Sequence, residues 1–165
     1  MIDIVLLDHR TQAVAEQIVE VQQAGYRVEA ELTGYDGMPG LTQDAATVAA
    51  LRLDLLGAVD TDLPPAASGG LAGRLVGVLG YRRHGDLVDV DRLAVHPDQF
   101  RRGIGGRLLA ELDRREADAR RIEVMTSTGN TPAISLYLRA GYVIVGRDDS
   151  GSVPVSRFAR TFPSA

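Results

Sequence analysis

The chain has 165 residues and a formal net charge of −4, and every one of its 18 basic side chains is an arginine. Because lysine and cysteine are absent, Schiff-base chemistry, a P-loop lysine, a thiol nucleophile and a cysteine-ligated metal are all excluded. Only three histidines are present, His9, His84 and His96, so the composition argues against a metal site.

The first quarter of the chain predicts a strand, a helix and a variable segment. Ile2 to Leu7 is a short apolar run, typical of a buried strand. From Arg10 to Ala24, apolar residues recur every three or four positions, which predicts a helix that Gly25 ends. Tyr26 to Thr42 has no clear period and is expected to be an ordered loop or a place where a substrate is gripped. Asp44 to Leu51 suits a second, short helix.

Two further strands are predicted before the middle of the chain. Leu53 to Val59 and Leu75 to Arg82 have the composition of a hairpin. The segment between them contains Pro64-Pro65 and Ser68-Gly69-Gly70, which indicates an exposed loop.

The segment from Leu87 to Val95 carries a shift in its alternation. Apolar residues fall first on Val88 and Val90 and then on Leu93 and Val95, so the phase changes by one residue near Asp91-Arg92. In a strand such a shift indicates a β-bulge, a feature over-represented beside active sites. A strand buried on both faces is an equally good explanation.

A glycine-rich turn follows, and then a helical pattern. Gly103, Gly105 and Gly106 precede leucines that share one helical face, and the helix should run to about Ala117. A strand, a glycine turn and a helix N-terminus together suit an anion such as a phosphate, although a tight turn without a ligand explains the glycines too. A Walker loop needs a lysine, and the third glycine of a Rossmann fingerprint is replaced by Leu108.

From Leu87 to Tyr142, about a third of the chain, the residues resemble the GNAT superfamily of acetyl-CoA-dependent N-acetyltransferases. The resemblance rests on Leu93-Ala-Val-His-Pro97, on Arg101-Arg-Gly-Ile-Gly-Gly106, on a following strand at Arg121 to Thr126, and on Asn130 to Tyr142 with its Leu-Tyr and Gly-Tyr pairs. It implies an α/β (α+β) fold: a mixed, mostly antiparallel sheet of about six or seven strands. About four helices would flank this sheet, which would splay at its fourth and fifth strands.

The resemblance also implies where acetyl-CoA binds, with no metal involved. The implied contacts are Leu93, Ala94, Val95, Arg101, Arg102, Gly103, Ile104, Gly105, Gly106, Arg107, Asn130 and Tyr137. Phe100 departs from the family, which usually has Gln or Arg three residues before the first glycine. Thr131-Pro132 is also the start expected of a helix, with Thr131 as its N-cap, and helix capping is an equally good use of Asn130.

Tyr137 is the candidate general acid. The matching tyrosine of the family commonly lies beside the sulfur of coenzyme A, and a phenol can protonate a leaving thiolate. Judged without the family, Tyr137 is a plain core aromatic.

Asp89 and Asp91 are the candidate general bases, and His84 and His96 are weaker candidates. An equally good explanation places both aspartates on a solvated strand face. The resemblance further suggests that an unpaired amide at Leu93 or Val95 stabilises the oxyanion of the tetrahedral intermediate.

We therefore expect a single domain, residues 1–165, that transfers an acetyl group from acetyl-CoA directly to a primary amine of a small molecule or peptide. The alternative is a GNAT-shaped module that senses acyl-CoA without turnover; a Rossmann-type nucleotide binder is a distant third. The resemblance implies that the acceptor is selected by the segment Tyr26 to Thr42, which contains Tyr35, Asp36 and Met38, and by the segment Arg147 to Ser152. Asp36, Asp148 and Asp149 would suit a cationic amine.

The remaining expectations concern partners and location. The acidic balance argues against a nucleic-acid partner, and no apolar run reaches the ~20 residues of a membrane span. The N-terminal segment does not have the pattern of a signal peptide, so a cytoplasmic location is expected. Pro154 in the last strand indicates an edge or a bulge, and an edge strand leaves a homodimer open.

Overall fold

A seven-stranded sheet forms the centre of the structure, a computed structural model that describes residues 1–163. The strands are β1 (Ile2–Leu6), β2 (Asp54–Asp60), β3 (Arg74–His84), β4 (Leu87–Val95), β5 (Arg121–Ser127), β6 (Val143–Asp148) and β7 (Val155–Thr161). Their spatial order is β1-β2-β3-β4-β5-β7-β6. Every neighbouring pair is antiparallel except β4 and β5, which are parallel.

Helices cover both faces of this sheet. They are α1 (Gln12–Thr33), α2 (Ala45–Ala49), α3 (Ile104–Arg115) and α4 (Thr131–Arg139). Because successive strand residues point to opposite faces, neighbours such as Leu55 and Leu56 of β2 belong to two different core clusters. Leu55 packs in the cluster that includes α1, and Leu56 packs in the cluster that includes α3. None of the described helices combines the length and apolarity that a bilayer crossing requires.

The predicted fold class is confirmed: the sheet is mixed, mostly antiparallel, and flanked by four helices. The predicted end of the first helix is wrong. The helix α1 continues through Gly25 to Thr33 and ends at Gly34, which has a left-handed φ of 71°. A Cβ at Gly25 would lie 3.0 Å from the carbonyl oxygen of Val95. This glycine therefore permits close packing of α1 on β4 and does not end the helix.

The predicted β-bulge is present in β4. Gly80 of β3 pairs with Arg92, whereas Tyr81 pairs with Val90, so Asp91 is the extra residue. The parallel ladder to β5 ends at the same place, because its last pair is Val90 with Val124. Beyond this point β4 and β5 diverge, and the gap between their ends is called the fork below.

The prediction for the last strand is only partly correct. Pro154 precedes β7, and β7 lies between β5 and β6. The edge strand on this side is β6, which exposes Val143, Ile144 and Val145. The homodimer stays a prediction, and the strand edge on which it could form belongs to β6.

Candidate active site

A cleft of about 440 Å³ lies in the fork. Its walls are the diverging ends of β4 and β5, the first turns of α4, the last turns of α1 and the segment after α1. Ser127 at the end of β5 places its hydroxyl oxygen in this wall, buried and without a hydrogen-bond partner among the described residues. A bound molecule with polar groups would satisfy it.

A second, smaller cleft extends the first one toward the glycine turn. It has a volume of about 130 Å³ and shares Tyr26, Glu29 and Leu93 with the larger cleft. At its far end it is lined by Phe100, which is 47% exposed and directly precedes the turn. A long ligand can therefore reach from the turn into the fork.

The turn itself has the geometry of an anion site. Arg101 and Gly103 have left-handed φ angles of 67° and 71°, and a non-glycine residue in this region is uncommon and strained. No side chain caps α3 at Gly103, and its first turn contains no acidic residue. The first amides of the helix are thus open to an anion, which the helix dipole also attracts.

The three arginines around the turn do different things. Arg102 donates to the buried carboxylate of Asp60 at 2.8 Å, and Arg107 donates to the carbonyl oxygen of Ile2 at 2.7 Å. Both side chains fasten the turn to the β1–β2 edge. Arg101 is exposed and makes no ion pair within residues 1–163. Of the three predicted phosphate ligands, Arg101 is thus the one whose guanidinium is not already engaged.

The residues after Gly103 also divide by role. Ile104 is buried in the core. A Cβ at Gly105 would lie 2.9 Å from the side chain of Leu136 in α4, so this glycine serves helix packing. A Cβ at Gly106 would meet nothing within 4 Å.

Two amides of β4 point toward the fork, and that of Leu93 faces the phenol oxygen of Tyr26. The amide of His96 donates to Val76 of β3 at 2.8 Å, and amides alternate in direction along an antiparallel strand. The amides of Leu93 and Val95 therefore point away from β3, toward the side where β5 has already diverged. Ala94 lies between these two residues. Its amide points toward β3, and its side chain is buried.

Tyr137 lines the cleft from α4 and is 4% exposed. Its ring packs against Tyr142 and Phe158, with centroids 6.0 and 5.7 Å apart. Burial raises the pKa of its phenol, and the nearby Tyr26 and Glu29 raise it further. The hydroxyl is therefore protonated at neutral pH.

Two cleft residues, Tyr26 and Glu29, lie in the segment expected to grip a substrate, but sequence reasoning did not single them out because it did not predict that this segment continues α1. With Thr33 they recur at three and four positions, so one helix face supplies all three to the cleft. This spacing was the available signal. Burial raises the pKa of Glu29, and a hydrogen bond from the Asn130 side chain opposes the rise.

The two predicted bases lie in different places. Asp91 lines the cleft, but it forms ion pairs of 2.8 Å with Arg82 and 2.7 Å with Arg92. Burial alone would raise its pKa, yet the two arginines outweigh burial and keep the pKa below its usual value. Asp89 lies in the paired part of β4, beside Glu123, and does not line the cleft.

Neither histidine candidate lines the two clefts, and the predicted helix cap is wrong. His96 accepts a hydrogen bond from the Asp98 amide through Nδ1 at 3.2 Å, and His84 ends β3 outside both clefts. The N-cap of α4 is Asn130 and not Thr131, because Asn130 accepts from the Ala133 amide at 3.2 Å. The Asn130 side chain thus both caps a helix and contacts Glu29.

Comparison with known proteins shows the class to which the domain with this fork and turn belongs. Residues 66–144 match the family model described as "Acetyltransferase (GNAT) domain", and the structural neighbours are GNAT N-acetyltransferases. The chain therefore contains a GNAT acetyltransferase domain, and the resemblance seen in the sequence is confirmed.

Individual relatives are similar over most of this chain. A curated relative, the UPF0157 protein YqkA of Bacillus subtilis, is 36% identical over 136 residues. The match covers 82% of this chain and only 36% of that protein, so the chain spans about a third of its relative.

Two solved structures share the fold at low sequence identity. The PaiA N-acetyltransferase of Thermoplasma acidophilum, in complex with coenzyme A, matches with a TM-score of 0.74 and 16% identity, covering 98% of this chain and 99% of that one. The ribosomal-protein-S18-alanine N-acetyltransferase of Escherichia coli matches with a TM-score of 0.73 and 16% identity, and the match covers 100% of this chain and 96% of that one.

Proposed function

We propose that the chain transfers an acetyl group from acetyl-CoA directly to a primary amine. One observation carries the proposal: the open amides at the α3 N-terminus follow shortly after Phe100, which lines the smaller cleft, and this cleft adjoins the larger cleft and the open amides of the fork. The first set suits a pyrophosphate. The second set suits the oxygen of a thioester carbonyl.

In the proposed reaction the amine attacks the thioester carbonyl, a C–N bond forms, and the C–S bond then breaks. The amides of Leu93 and Val95 are the donors available to the developing oxyanion. Tyr137 gives its proton to the departing sulfur of coenzyme A. Because no cysteine exists in the chain, no acetyl-cysteine intermediate is formed.

We propose Glu29 as the general base, in place of the predicted Asp91 and Asp89. The base must take a proton from the acceptor ammonium, so it needs a raised pKa and a carboxylate that is not held ionised by neighbouring cations. Burial raises the pKa of Glu29, whereas Asp91 is held ionised by two guanidinium groups. The ammonium loses two protons in all. Glu29 passes the first to solvent before the attack, and the second leaves the nitrogen as the C–S bond breaks and replaces, through solvent, the proton that Tyr137 gives to sulfur.

Thermal unfolding with acetyl-CoA tests the binding step. At a hundredfold excess over Kd, binding adds about 2.7 kcal/mol, so the melting temperature should rise by about 5–10 °C. NAD should cause no shift. Gly106→Glu should abolish the shift by placing a carboxylate beside the open amides, and Gly106→Ala should preserve it.

Release of free coenzyme A thiol over a panel of amines tests the transfer step. Turnover with any amine supports the acetyltransferase and excludes the sensing module. Stabilisation by acetyl-CoA without turnover would support the sensing module, and an unchanged shift in Gly106→Glu would show that acetyl-CoA binds elsewhere.

A further inference from the structure

We infer that the acceptor is a small monoamine: one ammonium group on an uncharged, apolar body. This inference rests on the proposed function and adds the class of acceptor to it. It is carried by the charge and the lining of the larger cleft.

The walls of the cleft around the fork are largely apolar. Met38 and Val153 line it from two loops, while Leu93, Met125 and Leu136 line it from the sheet and α4. Met125 is 59% exposed although it lies in a strand. Flexible methionines adapt to apolar ligands of varied shape, so these walls suit the body of an apolar acceptor.

The charges of the ionised side chains in and beside the cleft cancel. The charged side chains among its lining residues are Glu29, Asp91 and Arg92. Asp91 lies between the guanidinium groups of Arg82 and Arg92, and this trio has one positive charge in excess. Glu29 offsets that excess, so the cleft offers a single carboxylate to a single ammonium.

A second ammonium on the acceptor would find no partner. The acidic residues expected to attract a cationic amine, Asp36, Asp148 and Asp149, do not line the cleft. Asp149 is paired with Arg147 at 2.7 Å, and Asp148 accepts from the amide of Ser150 at 2.9 Å. A polyamine would therefore lose hydration without gaining an ion pair.

A carboxylate on the acceptor would also find no partner. Arg92 is the one arginine among the described lining residues, and its side chain is 9% exposed. Its donors already reach Asp91, Gln22 and Gln43 at 2.7 to 2.9 Å. Arg157 of β7 lies opposite Met125 of β5 in the sheet and could be considered as a partner. Its guanidinium, however, lies near Gly146 of β6, on the side of β7 away from β5. Free amino acids are therefore poor acceptors.

Matched acceptors test the inference through kcat/KM. We expect 2-phenylethylamine to exceed phenylalanine by at least about tenfold, because the two differ by a carboxylate, and phenylalanine amide to recover most of the loss. Butylamine should likewise exceed 1,4-diaminobutane by about tenfold.

A variant outside the proposed catalytic groups tests the charge argument in the opposite direction. Arg82→Gln removes one guanidinium from Asp91, so the kcat/KM of the diamine relative to butylamine should rise by about tenfold at low salt. The gain should shrink at high salt. Arg120→Gln removes an equal charge at an exposed site and should leave the ratio unchanged.

The outcomes separate the two levels of the proposal. A preference for the diamine or the free amino acid, or no response in Arg82→Gln, would overturn the acceptor inference alone. If acetyl-CoA stabilises the chain but no amine is acetylated, the proposed function fails and the inference fails with it. A strong preference for longer peptides over 2-phenylethylamine would replace the small amine by a peptide N-terminus.

Discussion

At the scale of single residues, the Tyr137 hydroxyl is the group whose removal is most informative. Tyr137→Phe keeps the ring packed on Tyr142 and Phe158 and removes the proposed proton donor. We expect kcat to fall about 10²-fold, a typical contribution of acid catalysis, while the thermal shift by acetyl-CoA stays. The control is Tyr142→Phe, since that hydroxyl is buried outside the clefts and has no hydrogen-bond partner among the described residues. Equal activity in the two variants would remove Tyr137 from the mechanism.

Glu29 allows a prediction in which activity and stability move in opposite directions. Because burial raises the folded-state pKa of Glu29, its contribution to stability is present at low pH and lost as pH rises through that pKa. At pH 7, Glu29→Gln should therefore raise the melting temperature, by about 2 °C, while kcat/KM falls about 10²-fold.

The pH profile of the unmodified chain checks the same assignment. Its kcat/KM should rise with pH through a pKa above that of an ordinary glutamate, and this limb should vanish in Glu29→Gln. Glu31→Gln, an exposed change on the same helix, should alter neither activity nor profile. A retained limb in Glu29→Gln would assign the base to another group.

At the scale of elements, the sequence predicted local pairing well and helix length poorly, for physical reasons. A bulge shifts the alternation of apolar residues along a strand by one position, so the bulge at Asp91 could be predicted from the sequence. From the sequence alone, a glycine that ends a helix cannot be distinguished from one that lets a helix approach a strand. The end of α1 was therefore wrongly predicted at Gly25. The same error prevented the prediction that Glu29 faces the cleft, because a segment expected to be a loop has no defined helical face.

The position of β7 between β5 and β6 could not be predicted from the sequence either. It depends on pairing between strands distant in the chain, and the local pattern around Pro154 contains no information on which strand will become the neighbour. Tyr137, by contrast, could be singled out from the sequence because the family resemblance at this point rests on a local motif, one short helix with a recognisable start and end; its catalytic role stays a prediction.

A matched pair of glycine substitutions tests the packing of α1 on β4. In a helix, Gly→Ala gains up to about 1 kcal/mol from backbone entropy. Gly106→Ala should show this gain, since its Cβ meets nothing within 4 Å. Gly25→Ala should lose the gain or become destabilising, because its Cβ would press on the Val95 carbonyl at 3.0 Å. It should also lower kcat, since Glu29 moves with α1.

Chemical unfolding of the two variants measures the difference directly. Circular dichroism in urea gives both free energies of unfolding, and an unchanged slope confirms that the same surface is exposed. Equal stabilisation by both substitutions would mean that α1 and β4 are not in close contact at Gly25.

At the scale of the whole molecule, paired carboxylates link distant segments and determine how stability responds to acid. Among residues 1–163, six carboxyl groups have a lowered pKa: Asp44, Asp60, Asp91, Glu111, Asp118 and Asp148. Two have a raised pKa, Glu29 and Asp113. Among these, Asp60 ties the β1–β2 edge to the glycine turn through Arg102, so acid acts on the fold and on the proposed phosphate site together.

More carboxyl groups have a lowered pKa than a raised one, so the free energy of unfolding should fall as pH drops below about 4. A carboxylate with a lowered folded-state pKa stabilises the fold above its unfolded pKa, and this contribution disappears as pH falls through the folded value. Glu111 is a suitable probe, because Arg114 and Arg115 lower its pKa to about 2. Glu111→Gln should melt about 1–2 °C below the unmodified chain at pH 7, and the gap should close between pH 4 and 2. Glu31→Gln, which removes a carboxylate that makes no ion pair within residues 1–163, should show no such gap. A gap that persists unchanged at pH 3 would mean that Glu111 stabilises the fold by packing and not by charge.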